Sequence, residues 1–392
     1  MADLKDALRA RELRMVRRLP DGLSGTILYE ARTAGGEPML VKVIRSGPSV
    51  VDGHDEASFR RKPLQIAHLA DQFPAVAALH VPIRDELAGP GWCAHVMPFV
   101  DGTDMLTPVD DAPARISTVI DQLARDGWVH RTERGMPYLR AAHLDRIRRR
   151  WAFLAAAVPP AALDSHGLEV NGAPCRGLRV LLDVADRMVD LLEPDWLAPP
   201  VHGDLNTRNV IFTGSGFVLV DPRGVLEPMD PCYDLGKITL SLSIWDPFVR
   251  DPGGLVTDGH GKSFHVRIPF LAGYRELLAA LPAIFARSAV LLQTLGRRWQ
   301  ARLAFSHAVH AVAEAACRVS DIRAKGQPDA AAQQHASAFL LYGLVLLDDV
   351  VTRAAAPDDF DLAAHLALTR LFTRREVPDA VPVPCGRPLS GV

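Results

Sequence analysis

The stretch from Val201 to Lys237, VHGDLNTRNVIFTGSGFVLVDPRGVLEPMDPCYDLGK, constrains this chain more than any other. It holds His202-Gly203-Asp204, then Asn209, then Asp221 directly after the apolar run Phe217–Val220. Residues 210–213 and 217–220 can pair as a short hairpin turning at Gly214-Ser215-Gly216, which returns Asp221 to the side of Asn209. Phosphoryl transfer explains each of these residues. An attacking hydroxyl needs a carboxylate within hydrogen-bond reach to orient it and take its proton, the task for Asp204. Magnesium takes oxygen ligands and clamps the transferring phosphates, which suits the Asn209 amide and the Asp221 carboxylate. Asn209 stands five residues past Asp204, the spacing of the D-x-x-x-x-N catalytic loop of protein kinases. A β-turn with ordinary Asp and Asn capping accounts for the loop alone. It leaves the Asp after the apolar strand and the following Tyr233-Asp234-Leu235 unexplained.

Together, HGDLNTRNVIF, VLVDPRG and DPCYDLGK resemble the active-site block of the aminoglycoside phosphotransferase and choline kinase-like superfamily of small-molecule kinases. The resemblance implies Asp204 as base, Asn209 and Asp221 as magnesium ligands, Asp234 as a structural aspartate and His202 as a loop-stabilising residue. It also implies Mg·ATP as the phosphoryl donor. The chain lacks HRD, DFG and APE, and the gap between Asp221 and Asp234 is too short for an activation segment, so protein substrates are not expected. Arg223 stands where some relatives place a second acid, so a second metal would rely on Asp221 and phosphate oxygens.

The rest of the chain reads as two parts. Thr26–Arg32 and Met39–Arg45 are strand-like and separated by the turn Ala34–Pro38. Residues 54–73 follow with helical spacing at Leu64, Ile66 or Ala67, and Leu69, despite Pro63. Trp92–Val100 is strand-like again, and Asp101-Gly102-Thr103 breaks it. Beyond lie helical patterns near 114–126, 139–156, 176–194, 268–286, 288–323 and 330–354, interrupted by short strands at 201–221 and a polar, Gly-rich loop at 252–263. The expected fold is α+β and two-lobed, protein kinase-like, with ATP in the cleft. Residues 1–100 form a small β-rich N-lobe and 101–392 a large, mainly helical C-lobe. The Pro-rich tail, 378–392, is expected to lack fixed structure.

The N-terminal part should then grip the nucleotide. Lys42 sits mid-strand between apolar neighbours, where an unpaired ammonium is costly to bury, although an edge-strand lysine facing water fits the same pattern. The resemblance implies contact with the α- and β-phosphates and a carboxylate partner on the next helix. Glu56 is the acidic candidate, with Asp52 and Asp55 close by. Ser24 and Gly25, within Gly22–Thr26, either cover the phosphates through peptide N–H groups or form a plain turn. Met97 and Phe99 fall in the segment Met97–Val100, which fits a hinge strand whose backbone meets the adenine edge and equally a core strand.

Other features point to bulk properties. Of 392 residues, 48% are hydrophobic, enough for a large core, and the net charge of −2 offers no footprint for nucleic acid or an anionic membrane. Five scattered cysteines without a CxxC argue against a disulfide framework or zinc site, and indicate reduced thiols in the cytoplasm. The longest apolar run, Ala338–Leu347, is half of the roughly 20 residues a membrane span needs and reads as a core helix. Arg146, Arg148, Arg149 and Arg150 read as a solvated helix face, with binding of an anionic acceptor as the alternative. His307 and His310 read as core or surface histidines, and Asp348-Asp349 as the water-facing end of an apolar stretch. The expected partner is a small-molecule hydroxyl acceptor: a sugar or sugar-bearing natural product of the aminoglycoside type. A choline-like metabolite alcohol comes next, and a non-catalytic nucleotide-binding pseudokinase is the reading from a different class.

Overall fold

The computed structural model describes residues 2–20, 26–45, 55–133, 137–324 and 329–373. Its first part is one antiparallel sheet of five strands, β1 (Arg14–Arg18), β2 (Ile27–Arg32), β3 (Pro38–Arg45), β4 (Asp85–Gly89) and β5 (Trp92–Pro98), in the order β1-β2-β3-β5-β4. The alternation along β3 sorts its side chains between two faces. Met39, Val41 and Val43 join Tyr29, Ala31 and Val96 in a core capped by Leu4 and Leu8 of helix α1 (Ala2–Arg9). On the opposite face Ile44 packs with Phe59 of helix α2 (Glu56–Gln72), so Lys42 faces the α2 side of the sheet. The charged strand β1, the short β4 and α1 carry no strong apolar pattern and fall outside the sequence expectation.

Helix α2 buries Leu69 as its spacing predicts, but the rest of its inward face is not the expected one. Leu64 is 54% exposed, and the buried stripe is Ser58, Phe59, Lys62, Gln65 and Leu69. Polar contacts explain the difference. The Gln65 side chain donates to Val201 O at 2.8 Å and accepts from Gly224 N at 2.6 Å and Val225 N at 3.0 Å. Gly224, at φ +83°, permits this approach, since a Cβ there would lie 2.7 Å from the Ser58 carbonyl oxygen.

The second part is mainly helical, with two small sheets. Strand β6 (Thr103–Asp104) joins β9 (Val210–Thr213) and β10 (Gly216–Leu219) in the order β10-β9-β6. Strands β7 (Leu168–Val170), β8 (Ala173–Cys175), β11 (Val256–His260) and β12 (Ser263–Arg267) form a four-stranded sheet. The hairpin β11–β12 occupies most of the segment read as a loop. Polar, glycine-containing residues there hide the alternation that buries Phe264 and Val266.

Helix α3 (Asp145–Arg149) carries part of the basic run, α4 (Cys232–Leu240) follows the catalytic segment, and α5 (Trp299–Ala324) and α6 (Asp329–Arg353) pack against each other in the core. Among the described residues α6 is the one unbroken helix long and apolar enough to cross a bilayer, and its segment Ala338–Leu347 is buried in that core. His307 and His310 are buried too, bonded to Ser243 Oγ at 2.8 Å and Tyr233 O at 3.1 Å. The Asp348-Asp349 pair does not simply face water: Arg176 holds Asp348 at 2.5 Å and His365 holds Asp349 at 2.7 Å. Cys93, Cys175, Cys232 and Cys317 are free and buried. The expected disorder of 378–392 concerns residues outside those described.

Candidate active site

The loop between Val201 and β9 is held by short-range polar contacts that its sequence supplies. The buried Asp234, at the start of α4, accepts from His202 N at 2.8 Å and Gly203 N at 2.9 Å. Burial pushes its carboxyl up to about 7, against the pull of these peptide N–H groups. The His202 ring bridges two segments: Nδ1 accepts from Asp204 N at 3.2 Å, so Nε2 carries the hydrogen donated to Val220 O at 2.9 Å. Burial lowers its pKa and keeps the ring neutral, as this bonding requires. Gly203 sits at φ +78°, where a Cβ would meet Arg223 Cβ at 2.8 Å. Asn206 then caps the turn Thr207–Asn209 by accepting from Arg208 N and Asn209 N.

These contacts bring Asp204, Asn209 and Asp221 to one cavity of about 530 Å³, whose wall also includes Lys42, Lys62 and Lys237. Asn209 donates through Nδ2 to Asp204 O at 2.8 Å and to Asp204 Oδ2 at 3.3 Å, which leaves its carbonyl oxygen for a cation. Val220 N donates to Asn209 O at 2.9 Å, closing the β9–β10 hairpin and setting Asp221 next to that amide. Lys237 Nζ lies 3.0 Å from Asp204 Oδ1. Burial opposes charge on Asp204, but the Lys237 ammonium, with Arg223 behind it, outweighs it and holds the carboxyl below the usual range.

Asp221 is the electrostatic centre of the other half of the cavity. Its Oδ2 lies 2.6 Å from Lys42 Nζ, and its Oδ1 pairs with Lys62. Burial is again outweighed, by the two lysines, and the carboxyl is held low. Burial pulls the Lys42 ammonium down from its ordinary value, with Asp221 opposing. The Asp221 backbone lies at φ +59°, a sparsely populated region for a residue other than glycine and one that concentrates at functional sites. Two oxygen donors on one wall suit magnesium, which keeps waters and takes its other ligands from phosphates. Among the described residues no group of three or more His, Cys, Asp or Glu could hold a metal alone.

The nucleotide grip differs from expectation in three ways. Lys42 pairs with Asp221 and not with Glu56, which pairs with Arg60 at 2.7 Å. Helical phase is the reason. At 100° per residue, Glu56 lies about 150° around α2 from the stripe of Ser58, Lys62 and Gln65. That stripe supplies a second lysine, Lys62, where a carboxylate was expected. Met97 and Phe99 are not among the residues lining the cavity, and the Phe99 N–H is taken by Pro38 O at 3.1 Å, so it is no donor for adenine here. Ser24 and Gly25 lie outside the described residues. The basic run splits as well: Arg146 and Arg150 are buried and line the cavity, while Arg148 and Arg149 are exposed. Spacing of i, i+4 puts the first two on one face.

A sequence profile of the phosphotransferase enzyme family (APH) matches residues 16–279, from β1 into the helix Tyr274–Arg287. The chain belongs to that family. This phosphotransferase is an enzyme of the small-molecule kinase type, and its two-lobed α+β fold recurs in solved structures. It is similar to a structure described as a "putative aminoglycoside phosphotransferase" from Ralstonia eutropha, at 14% identity and a TM-score of 0.53, covering 90% of this chain and 98% of that one. It is similar also to a thermostable mutant of the aminoglycoside phosphotransferase APH(4)-Ia in a ternary complex with ADP and hygromycin B. That match has 12% identity and a TM-score of 0.52 and covers 91% of this chain and 98% of the other. At such identities the likeness is one of fold. No curated protein sequence matches the phosphotransferase closely enough to serve as a relative.

Removing the Asp234 charge tests how the loop is held. Asp234→Asn keeps one acceptor and turns an NH2 toward a peptide N–H, at a cost of about 1–3 kcal/mol for the donor left unmade. Calorimetry should show a lower melting temperature. An unchanged melting temperature would remove Asp234 from its structural role.

Proposed function

We propose that this phosphotransferase moves the γ-phosphate of ATP to a hydroxyl of a small molecule, with Asp204 as base and Asn209 and Asp221 as the magnesium ligands. The observation that carries the reading is the meeting of these three groups with Lys42 on one cavity wall. The acceptor oxygen attacks Pγ, the bond from Pγ to the β,γ-bridging oxygen breaks, ADP leaves, and the hydroxyl proton passes to Asp204. A magnesium ion between Asn209 and Asp221 would neutralise charge on the β- and γ-phosphates. Lys42 and Lys62 reach the phosphates from β3 and α2, and His202 keeps Asp204 and the Asp221 strand in register. Asp204 is held so low that it serves chiefly to orient the hydroxyl, which suits a loose transition state in which the proton moves late.

A sugar or sugar-bearing compound is the acceptor we favour, since a structure of similar fold is described with hygromycin B bound. The test is ADP release from Mg·ATP across a panel of aminoglycosides, nucleoside antibiotics, simple sugars, sugar acids, sugar phosphates and amino alcohols. Release that depends on one acceptor class and disappears in Asp204→Ala supports the proposal. ATP binding with no release from any of them counts against it.

Lys62 gives a narrower expectation. Lys62→Met leaves Lys42 as the lysine on Asp221 and should raise KM for Mg·ATP roughly tenfold, the worth of one charge-assisted hydrogen bond. Steady-state kinetics at saturating acceptor would measure it, and an unchanged KM would assign Lys62 to structure alone.

A further inference from the structure

The charge of the cavity wall is uneven in a way that nucleotide binding does not explain. Lys42 and Lys62 belong to the Asp221 end. Beyond them the described wall carries Arg146, Arg150, Arg208, Arg223, Lys237 and Arg318, against Asp204, Glu314 and Asp321. The chain as a whole has a net charge of −2, so this concentration of cations is local and not a reflection of composition. Burying guanidinium groups is expensive, yet Arg146 is 3% and Arg150 2% exposed.

The acids on this side are already engaged with cations. Asp204 lies 3.0 Å from Lys237, Lys237 lies 3.8 Å from Glu314, and Glu314 lies 2.5 Å from Arg318, which also meets Asp321 at 2.9 Å. Within this first cavity an amine-bearing acceptor would have to take a carboxylate from one of these pairs, and the other acids near it, Glu133 and Glu227, stand on the exposed rim of the neighbouring cavity. A second cavity of about 460 Å³ adjoins the first, lined by apolar groups such as Val225 and Met229, and Arg146 and Arg223 line both. At that junction Arg146 Nη1 donates to the Tyr233 hydroxyl at 3.0 Å. Burial raises the Tyr233 pKa, but Arg146, Arg223, Lys237 and Arg150 together override it and bring the net shift down, the sign of a positive field. Arg223, two residues past Asp221, is tied to the base loop by its backbone N, which donates to His202 O at 3.0 Å.

From this geometry we infer that the acceptor is an anionic small molecule, an alcohol that also bears a carboxylate or phosphate group received by Arg146 and Arg223 where the two cavities meet. Guanidinium forks suit either anion because two parallel N–H groups match two of its oxygens. The inference rests on the phosphotransferase reading above for the position of the reacting hydroxyl. It replaces a cationic antibiotic by an acid or phosphate ester as the substrate class.

Calorimetric titration with the full chain saturated with Mg·AMP-PNP tests it, using glucose 1-phosphate, gluconate, glucose and glucosamine as probes. At least one anionic probe should bind more than about tenfold tighter than glucose and glucosamine, the worth of a charge-assisted contact. Preference for one anion over the other tells phosphate from carboxylate. Arg146→Met and Arg223→Met should each erase the preference while AMP-PNP affinity stays unchanged. Should the buried Arg146 variant fail to fold, the half-buried Arg223 variant alone decides. Equal binding of all four, undetectable binding included, or tighter binding of glucosamine overturns the inference. ADP-release assays separate its failure from that of the parent reading. Turnover of a neutral or amine acceptor without an anion preference sinks this inference alone, whereas an anion preference without turnover of any acceptor sinks the phosphotransfer proposal.

Discussion

Asp204→Asn should leave Mg·AMP-PNP binding within about threefold of wild type and cut turnover by roughly 10²- to 10⁴-fold, the usual contribution of a positioned base. The asparagine fills the same volume and keeps an oxygen toward Asn209, so the loop should survive. What it loses is the negative charge that aims the acceptor hydroxyl, together with the partner of Lys237 at 3.0 Å. The pH profile adds a second readout. A carboxyl held below its usual range stays ionised as the solution is acidified, so the wild-type rate should not fall near pH 5 through protonation of Asp204. Single-turnover kinetics with a responsive acceptor would measure the loss. A variant with more than a tenth of wild-type turnover would show that another group orients the hydroxyl.

The second large effect belongs to Asp221. Asparagine is the informative replacement, because it tolerates the left-handed backbone at φ +59° better than alanine does. Asp221→Asn removes the charge shared by Lys42 and Lys62, and leaves two ammonium groups facing each other across a neutral amide. Loss of one partner from a buried ion pair typically costs 3–5 kcal/mol, so about 3 kcal/mol is expected for this partly exposed carboxylate. Mg·ATP affinity should fall by at least the roughly 10- to 100-fold that a supporting residue is worth at a metal site. Calorimetry in the absence of nucleotide and titration with Mg·AMP-PNP separate the two losses. Unchanged nucleotide affinity in a destabilised variant would make Asp221 a structural counter-ion and exclude it as a metal ligand.

What could be read from sequence was whatever depends on neighbours along the chain. The β9–β10 hairpin and its return of Asp221 to Asn209 follow from a Gly-rich turn between two short apolar runs. Lys42 was readable because apolar residues flank it in a strand. Helical phase was the main failure. Glu56 is acidic and early in α2, and the spacing of Leu64, Ile66 or Ala67, and Leu69 points to an inward face of which Leu69 alone is fully buried, whereas Lys62 and Gln65 hold the rest through distant polar partners. No local pattern announces that a glutamine will find Val201 and Gly224. For the basic run the signal did exist: Arg146 and Arg150 are one helical turn apart, and only their burial sets them apart from Arg148 and Arg149.

Gln65 bears on how such an enzyme can be switched. In protein kinases the helix after the phosphate-binding lysine governs activity by its position. Here its counterpart α2 is stitched to Val201, just ahead of the catalytic loop, and to Gly224 and Val225, just beyond Asp221, by one buried amide making three hydrogen bonds. Swinging α2 outward would break all of them at about 1 kcal/mol each and leave the Val201 carbonyl and the Gly224 and Val225 N–H groups without this partner. Whatever moves α2 must therefore compensate for these three bonds together, so the helix and the two loops that flank the catalytic residues shift as one body or not at all.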